Sequence, residues 1–339
     1  MEDGRVLTFS TPPSYSFQSS DKLFTAEELK KHVQETLQVL LAENLREKRL
    51  VHPCLTVLHM ESSMKFIWHV TDMFRLTTQV RYIAFDLFQR FMLGHMESLL
   101  AHVLSTTTEG RQRSRLMKMV TKRVKYQAPL RVLTCVMIAS KLDCHKRCLT
   151  SLMVQKCLKQ MDVNFHTSLI NRSERRVLEQ LDSRCHRNSS LLVYIGVVIS
   201  VVGLWEGDGA NFTDKIKKGS IQPVSPEDLF EMSVSLLDMV YLNHEKVYQE
   251  LYTSLTGLPS IPNKHKAAFA HVIADRMLLA GSVVASAALV LGGQEVCAAV
   301  VSSITTHIHT PCKDIITLAS CIMTCAGLPS NIKSLLANN

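Results

Sequence analysis

Two stretches of the chain are apolar around almost the whole circumference of a helix. They read LRVLTCVMIASKL at 130–142 and MLLAGSVVASAAL at 277–289. A helix of this kind is stable in water only when other helices surround it. Both stretches contain an Ala-Ser pair, at Ala139 and at Ala285 (285 − 139 = 146 residues apart), and small side chains let neighbouring helices come close. The sequence therefore predicts two helical bundles, each built around one of these stretches.

Helical periodicity predicts four further helices around each apolar one. The ranges are 58–74, 78–104, 150–160 and 168–182 in the first half, with the apolar helix starting at 129. In the second half they are 191–205, 226–255, 295–308 and 312–326, with the apolar helix at 266–291. A duplicated unit would explain the shared Ala-Ser text, and so would a chance match produced by similar packing.

An extra helix precedes the first set. Thr25 and Glu28 have the spacing of a capping box, and the helix is expected to end at the charged residues 46–49. Its apolar face is predicted to contain Leu29, Val33, Leu37, Leu40, Leu41 and Leu45. The predicted fold is all-α, with two tandem five-helix units and an extra N-terminal helix. The length of 339 residues fits this division: a flexible segment at 1–24, a first domain at 25–187 and a second at 188–339.

The two uncharged runs, 191–205 and 277–293, each contain fewer than the roughly 20 apolar residues that cross a bilayer. We therefore expect core helices and no membrane contact. The polar N-terminus lacks the apolar run of a secretory signal, so an intracellular protein is expected. The ten cysteines are expected to be reduced core residues.

A basic segment interrupts the first half at 105–127. Its stretch RQRSRLMKMVTKRVK contains seven cations and no acid, namely Arg111, Arg113, Arg115, Lys118, Lys122, Arg123 and Lys125. These side chains could meet DNA phosphates in a weak, sequence-independent contact, or an acidic protein surface. The alternative is a solvated, mobile loop between two helices.

Signatures of catalysis and of metal binding are weak or missing. The sequence contains no phosphate-binding glycine loop, no nucleophile elbow, no H-E-x-x-H and no kinase catalytic set. Cys144, His145 and Cys148, with Cys185 further on, have the wrong spacing for a common zinc site. We expect a protein that is not an enzyme and that holds no metal or cofactor, although dispersed catalytic residues would escape this reading.

Three stretches of the first unit resemble the cyclin fold. They are AFDLFQRFM at 84–92, VMIASKLD at 136–143 and SERRVLEQL at 173–181. In cyclins a lysine and a glutamate in the second and third of these motifs form the pair that grips a cyclin-dependent kinase. The resemblance places this pair on Lys141 and Glu174. It implies a non-catalytic kinase regulator.

The chain also departs from the cyclin pattern. Gln89 replaces an aspartate before Arg90, and the stretch HMESSMKFIW at 59–68 lacks the arginine of the patch through which cell-cycle cyclins dock substrates. Ala287 stands in the second unit where the first has Lys141. The resemblance therefore implies that only the first unit grips a kinase.

The amino-acid sequence at 131–142, 235–255 and 277–289 is similar to that of a cyclin-like group implicated in meiotic crossover maturation. This similarity implies a nuclear protein on meiotic chromosomes, with the cytoplasm as a second location. One alternative is a kinase-independent adaptor that recruits crossover-maturation proteins or replication-clamp-loader subunits to chromosomes. Another is a helical-repeat scaffold unrelated to cyclins.

Overall fold

The computed structural model describes residues 26–49, 61–106, 110–143, 148–185, 190–205 and 224–328. Within these ranges the chain forms twelve helices and no strand, which confirms the all-α prediction. The helices of the first part are α1 Ala26–Arg49, α2 Glu61–Met73, α3 Thr78–Thr106, α4 Gly110–Asp143, α5 Ser151–Gln160 and α6 Thr167–Gln180. Those of the second part are α7 Leu191–Trp205, α8 Pro226–Leu242, α9 His244–Thr256, α10 Asn263–Ile273, α11 Arg276–Ile308 and α12 Cys312–Cys325.

Helix α4 is the central helix of the first half. It contacts α2, α3, α5 and α6, and every residue from 130 to 140 is buried. Thr150 begins α5 by accepting a hydrogen bond from the amide of Met153, and the His166 side chain accepts one from Ser168 at the start of α6. The prediction of one apolar helix surrounded by four others is confirmed for α2–α6.

The described part of the basic segment is helical. Residues 105–106 end α3, and residues 110–127 form the first part of α4, which continues through Pro129, so the interpretation of these residues as a loop between helices is wrong. Leu116, Val120 and Val124 recur every four residues and are partly buried, and α4 packs along α3. This apolar stripe gives the segment a packed face, which stabilises helical structure that charge density alone does not reveal.

Helices α3 and α4 are much longer than their neighbours. They have 29 and 34 residues, against 10 to 14 for α2, α5 and α6. At 1.5 Å per residue they measure about 44 and 51 Å. No residue of 110–129 is buried. The start of α4, residues 110–127, therefore extends beyond the buried core, and we call it, together with the end of α3 at residues 97–106, the α3–α4 arm.

Helix α11 has the corresponding central place in the second half. Its first part contacts α7, α8 and α12, and residues 277–288 are all buried. Gly293, with φ of 73° and ψ of −165°, breaks the helix. Two predicted boundaries are wrong here. The helix expected at 226–255 is interrupted at Asn243, and that expected at 266–291 is interrupted at Asp275, whose side chain caps α11. Apolar periodicity continues across both interruptions and therefore conceals them.

Among the described residues, α11 is the one helix whose length and composition would allow it to cross a membrane. Half of its most apolar window is buried inside the protein. Helix α7, which is shorter, is buried at Leu191, Tyr194, Ile195 and Val198, among others. The prediction that both apolar runs are core helices is confirmed by this burial.

Helix α1 packs on the second half although the chain places it before the first. It contacts α7, α10 and α11. Val33, Leu37 and Leu40 are buried as predicted, whereas Leu29 and Leu45 are exposed, which corrects the predicted apolar face. The predicted cap at Thr25 and the segment 1–24 lie outside the described residues. The division into two domains stays a prediction.

The eight cysteines in the described ranges are thiols. Cys135, Cys157, Cys297 and Cys321 are buried, as expected of core residues, and the other four are partly buried. Burial raises the pKa of the Cys297 thiol to about 12, with a smaller contribution from Cys312. A thiol of this kind is inert at neutral pH. Cys54 and Cys144 lie outside the described residues.

Candidate functional site

Lys141 and Glu174 are in direct contact. Lys141 lies in the last turn of α4 and Glu174 in the second turn of α6. The Nζ of Lys141 donates to Oε1 of Glu174 at 2.5 Å. The lysine side chain is 40% exposed and the glutamate side chain 19%. The two residues that the sequence motifs single out therefore form an ion pair at the edge of the first bundle.

A buried polar contact sets the position of α6 on α4. Arg131 donates to the hydroxyl of Ser173 at 2.6 Å, and the hydroxyls of Thr134 and Ser173 are 2.8 Å apart. Thr134 precedes Lys141 by seven residues, two helical turns, so both lie on the face of α4 that meets α6. Ser173 directly precedes Glu174. The register of α6 that brings Glu174 to Lys141 is thus held inside the core.

Helices α4 and α6, which carry the pair, and the neighbouring helix α5 also expose apolar side chains. Leu142 follows Lys141 in α4, Leu152 and Met153 begin α5, and Leu169 lies in the first turn of α6; all four are exposed. Ser151 and Asn171 connect the starts of α5 and α6 through a 2.5 Å hydrogen bond. Exposed apolar side chains on neighbouring helices are the kind of group that is buried at the centre of protein interfaces.

The ion pair has hydrogen-bonding capacity left for a partner. A lysine ammonium has three donors and a carboxylate has two acceptor oxygens, and one donor and one oxygen are used in the contact between them. The remaining groups can bond to backbone carbonyl and amide groups of another protein. The pair is thus suited to recognise a polypeptide main chain.

A second charged network lies at the junction of the two halves and was missed by the sequence analysis. Asp86 accepts hydrogen bonds from Arg90 at 2.7 Å and from Arg276 at 2.9 Å, and Arg276 also pairs with Glu47 at 2.8 Å. The network borders a cavity of about 1070 Å³. The spacing of Asp86 and Arg90, four residues on one helix, was the available signal. The other two members come from distant parts of the chain.

The carboxyl of Asp86 is held in its charged form. Burial alone would raise its pKa, but the guanidinium groups of Arg276 and Arg90 outweigh burial and lower the pKa below the ordinary value. Arg90 also donates to the backbone carbonyls of Arg184 and Cys185, after α6. Asp86 and Arg90, which stand on either side of Gln89 in α3, therefore connect α3 with α11 and with the backbone after α6. Arg276 connects α11 in turn with Glu47 of α1.

The remaining candidate residues lie in different surroundings. Ala287 is completely buried in α11, so the second half has no charged group at the position equivalent to Lys141. Of the seven basic residues, Arg113 is partly buried and the other six are exposed on the α3–α4 arm. The described residues contain no group of three or more His, Cys, Asp or Glu side chains that could hold a metal ion. Cys144 and His145 lie outside these residues.

Sequence comparison finds two relatives with the same name. The chain is 23% identical over 227 residues to Cyclin N-terminal domain-containing protein 1 of Homo sapiens, a match that covers 67% of this chain and 64% of that protein. It is 22% identical over 227 residues to the Mus musculus protein of that name, with coverages of 67% and 63%. The chain fits the cyclin-fold family. The match spans less than two thirds of the length of these relatives.

No family model matches the chain, and no solved structure does. The cyclin likeness therefore depends on the two relatives, on the helix order and on the motifs that carry Lys141 and Glu174. These motifs lie on α4 and α6, the third and fifth helices of the first bundle.

Proposed function

We propose that this protein is a non-catalytic cyclin-like subunit that binds a cyclin-dependent kinase and promotes crossover maturation in meiotic recombination. The observation that carries the proposal is the Lys141–Glu174 ion pair, partly exposed at the edge of the first bundle. The two relatives named for a cyclin domain support the cyclin-like part of the proposal.

The physical basis is that the free energy of binding to this subunit orders a part of the kinase. Phosphoryl transfer by a protein kinase requires a lysine of strand β3 to pair with a glutamate of helix αC. A partner that holds αC in place raises the population of the competent state, and changing a ratio of 1:99 to 99:1 takes about 5.5 kcal/mol of differential binding. The binding surface must be rigid to supply this energy. The fully buried segment 130–140, which ends beside Lys141, provides that rigidity.

The expected setting is the nucleus, on meiotic chromosomes, with a cytoplasmic fraction. This part of the proposal depends on the similarity to the crossover-related group. Crossover-maturation proteins and clamp-loader subunits are the further partners that it suggests. No cofactor is required for a subunit that acts through its surface.

Charge reversal at the pair tests kinase binding. We expect Lys141→Glu and Glu174→Lys each to abolish co-purification of a cyclin-dependent kinase with the full chain, because each leaves two like charges at the contact point. Glu179→Lys is the matched control, since Glu179 is on the same helix and is 62% exposed in a pair with Arg175. Because Glu174 is only 19% exposed, thermal unfolding of each variant must show that the fold is intact.

Kinase activity with and without this chain completes the test. We expect the wild-type chain and Glu179→Lys to raise the phosphorylation rate of a histone H1 substrate, and the two pair variants to lose this effect. If the folded pair variants recover as much kinase as the wild type, the kinase proposal is wrong. Retained recovery of crossover-maturation or clamp-loader proteins by those variants would then favour the adaptor.

A further inference from the structure

The cations of the α3–α4 arm are aligned. Arg111, Arg115, Lys118, Lys122 and Lys125 follow each other at intervals of four, three, four and three residues in α4. At 100° per residue these five side chains lie within about 80° of one another around the helix. We call them the basic stripe. From Arg111 to Lys125 the stripe spans 14 residue-to-residue steps, which is about 21 Å along the helix axis.

The basic stripe lies on the side of α4 that faces away from the bundle. All five cations are exposed, whereas Leu116, Val120 and Val124 on the other side are partly buried. The packed face of this segment is therefore covered by protein, and the cationic face is open to solvent. Arg123 is exposed too, but it lies about 100° away from its neighbour Lys122.

Almost all the surplus charge of the chain is in this segment. The formal net charge is +8, and residues 111–125 contain seven cations and no acid, which leaves +1 (8 − 7) for the rest of the chain. The field of the protein is thus concentrated on the arm. Such a concentration attracts a polyanion to one place instead of weakly over the whole surface.

We propose that the basic stripe binds the phosphate backbone of duplex DNA. A line of cations about 21 Å long spans the axial length of about six base pairs, given 3.4 Å between successive charges on one strand. No acid lies between residues 111 and 125, so no side chain within the segment repels phosphate. Neutralisation of several phosphates releases counterions, which supplies the binding free energy.

The composition of the stripe predicts binding that does not depend on base sequence. Its five side chains are arginines and lysines, the residues that contact phosphate oxygens, and none is an asparagine or glutamine of the kind that reads adenine. Phosphate contacts set the position of the protein on the duplex and carry no sequence information.

Other polyanionic surfaces fit the stripe less well. A membrane-binding helix inserts its apolar face, but in this segment that face is partly buried inside the protein. An acidic protein interface would have an apolar centre, and lysine is depleted in such centres. Met119 is 69% exposed at one edge of the stripe and is the side chain that a protein partner would bury.

The experiment measures the salt dependence of binding to a fluorescently labelled 20-base-pair duplex by anisotropy, with the full chain. For five phosphate contacts we expect the slope of log K against log salt concentration to be about −4.5. The variant Arg115→Ala/Lys118→Ala/Lys122→Ala should reduce this slope to about −1.8 and weaken binding at least about tenfold at 0.1 M salt. A duplex of scrambled sequence should bind equally well.

Two matched controls isolate the stripe from general charge loss. Lys246→Ala/Lys264→Ala/Lys313→Ala removes the same charge from exposed positions in the second half and should leave the slope almost unchanged. Lys122→Ala should reduce the slope by about 0.9, whereas Arg123→Ala, one residue further, should not. Alanine is a strong helix former, so the helix is retained, and circular dichroism verifies it.

Equal slopes for the stripe variant and its charge-matched control would overturn the proposal. It is also overturned if the slope is unaffected but Met119→Ala weakens binding, or if a polyglutamate peptide binds the stripe more tightly than the duplex does. Either of the last two results would indicate that the arm binds an acidic protein and not DNA. Kinase recovery by the stripe variant should be normal, so failure here is distinguishable from failure of the kinase proposal.

Discussion

At the scale of single residues, His95 shows how burial near cations changes a titration. It is buried in α3 and stacks on Phe91, with ring centroids 5.3 Å apart. Burial, and next the charges of Arg176 and Arg131, lower the pKa of His95 from 6.5 to about 4. The imidazole is therefore neutral in the folded protein at pH 5 and above.

The free energy of unfolding should consequently fall in mild acid. The unfolded chain protonates His95 near pH 6.5, while the folded protein resists protonation until about pH 4. This contribution is complete above pH 6.5 and is lost as the pH falls toward 4, to a total of roughly 3 kcal/mol. We expect His95→Leu to flatten the decrease in urea-derived stability between pH 7 and pH 4.5.

The control is His102→Leu, two turns further along α3 and exposed. It should leave the pH dependence as in the wild type. Part of the decrease should survive in His95→Leu, because burial also lowers the pKa of His244 to about 4. If His95→Leu and His102→Leu show the same dependence, the assignment to His95 is wrong.

The two charged sites differ in how far the sequence could predict them. Lys141 and Glu174 could be found because each lies in a motif with a known counterpart, and the structure places them 2.5 Å apart. The Asp86 network could not be found in that way. Arg276 reaches Asp86 across 190 residues of chain, and local spacing contains no information about such a contact.

At the scale of helices, one glycine determines how the second half is divided. Gly293 has φ of 73° and ψ of −165°, a combination open in practice only to glycine. At the preceding residue, Gly292, an added Cβ would come within 2.5 Å of a methyl group of Val296. The two glycines together allow α11 to turn back on the bundle. The break at residue 293 lies in the gap between the helices predicted at 266–291 and 295–308, so this boundary is confirmed.

We expect Gly293→Ala to destabilise the protein by about 1–3 kcal/mol, because alanine must adopt a strained backbone conformation there. Gly203→Ala in α7 is the control. An added Cβ at Gly203 meets no atom within 4 Å, and alanine is favoured over glycine in a helix by up to about 1 kcal/mol. Denaturation midpoints should move in opposite directions. Equal shifts would show that Gly293 is not strained.

At the scale of the whole molecule, aromatic and charged side chains join the two halves. Trp68, Tyr82 and Phe85 of the first half each lie 5.0–5.6 Å from Tyr241 of α8, measured between ring centroids. Beside this cluster, Arg81 pairs with Asp238 at 2.5 Å, and the hydroxyl of Tyr82 donates to the same carboxylate. The halves thus share a packed interface and are not connected by the chain alone.

Asp238→Ala should loosen this interface. It leaves the buried Tyr82 hydroxyl without its acceptor and Arg81 with Asp72 as its ion-pair partner, at a cost of about 2–4 kcal/mol. Hydrogen exchange should accelerate together in α2, α3 and α8. Glu231→Ala removes an exposed carboxylate from the same helix and should change little. Faster exchange confined to α8 would contradict a shared interface.

The sequence by itself determined the helices and their two centres, because the period of apolar residues is local and the segments 130–140 and 277–288 can exist only inside a bundle. It also singled out Lys141 and Glu174. Only the tertiary structure decided that α1 packs on the second half, that Arg276 joins Asp86, and that the face of α4 with the basic stripe stays exposed. These features arise from contacts between residues far apart in the chain or from which face of a helix is covered. Neither long-range contacts nor the covered face of a helix can be predicted from the composition or spacing of a single segment.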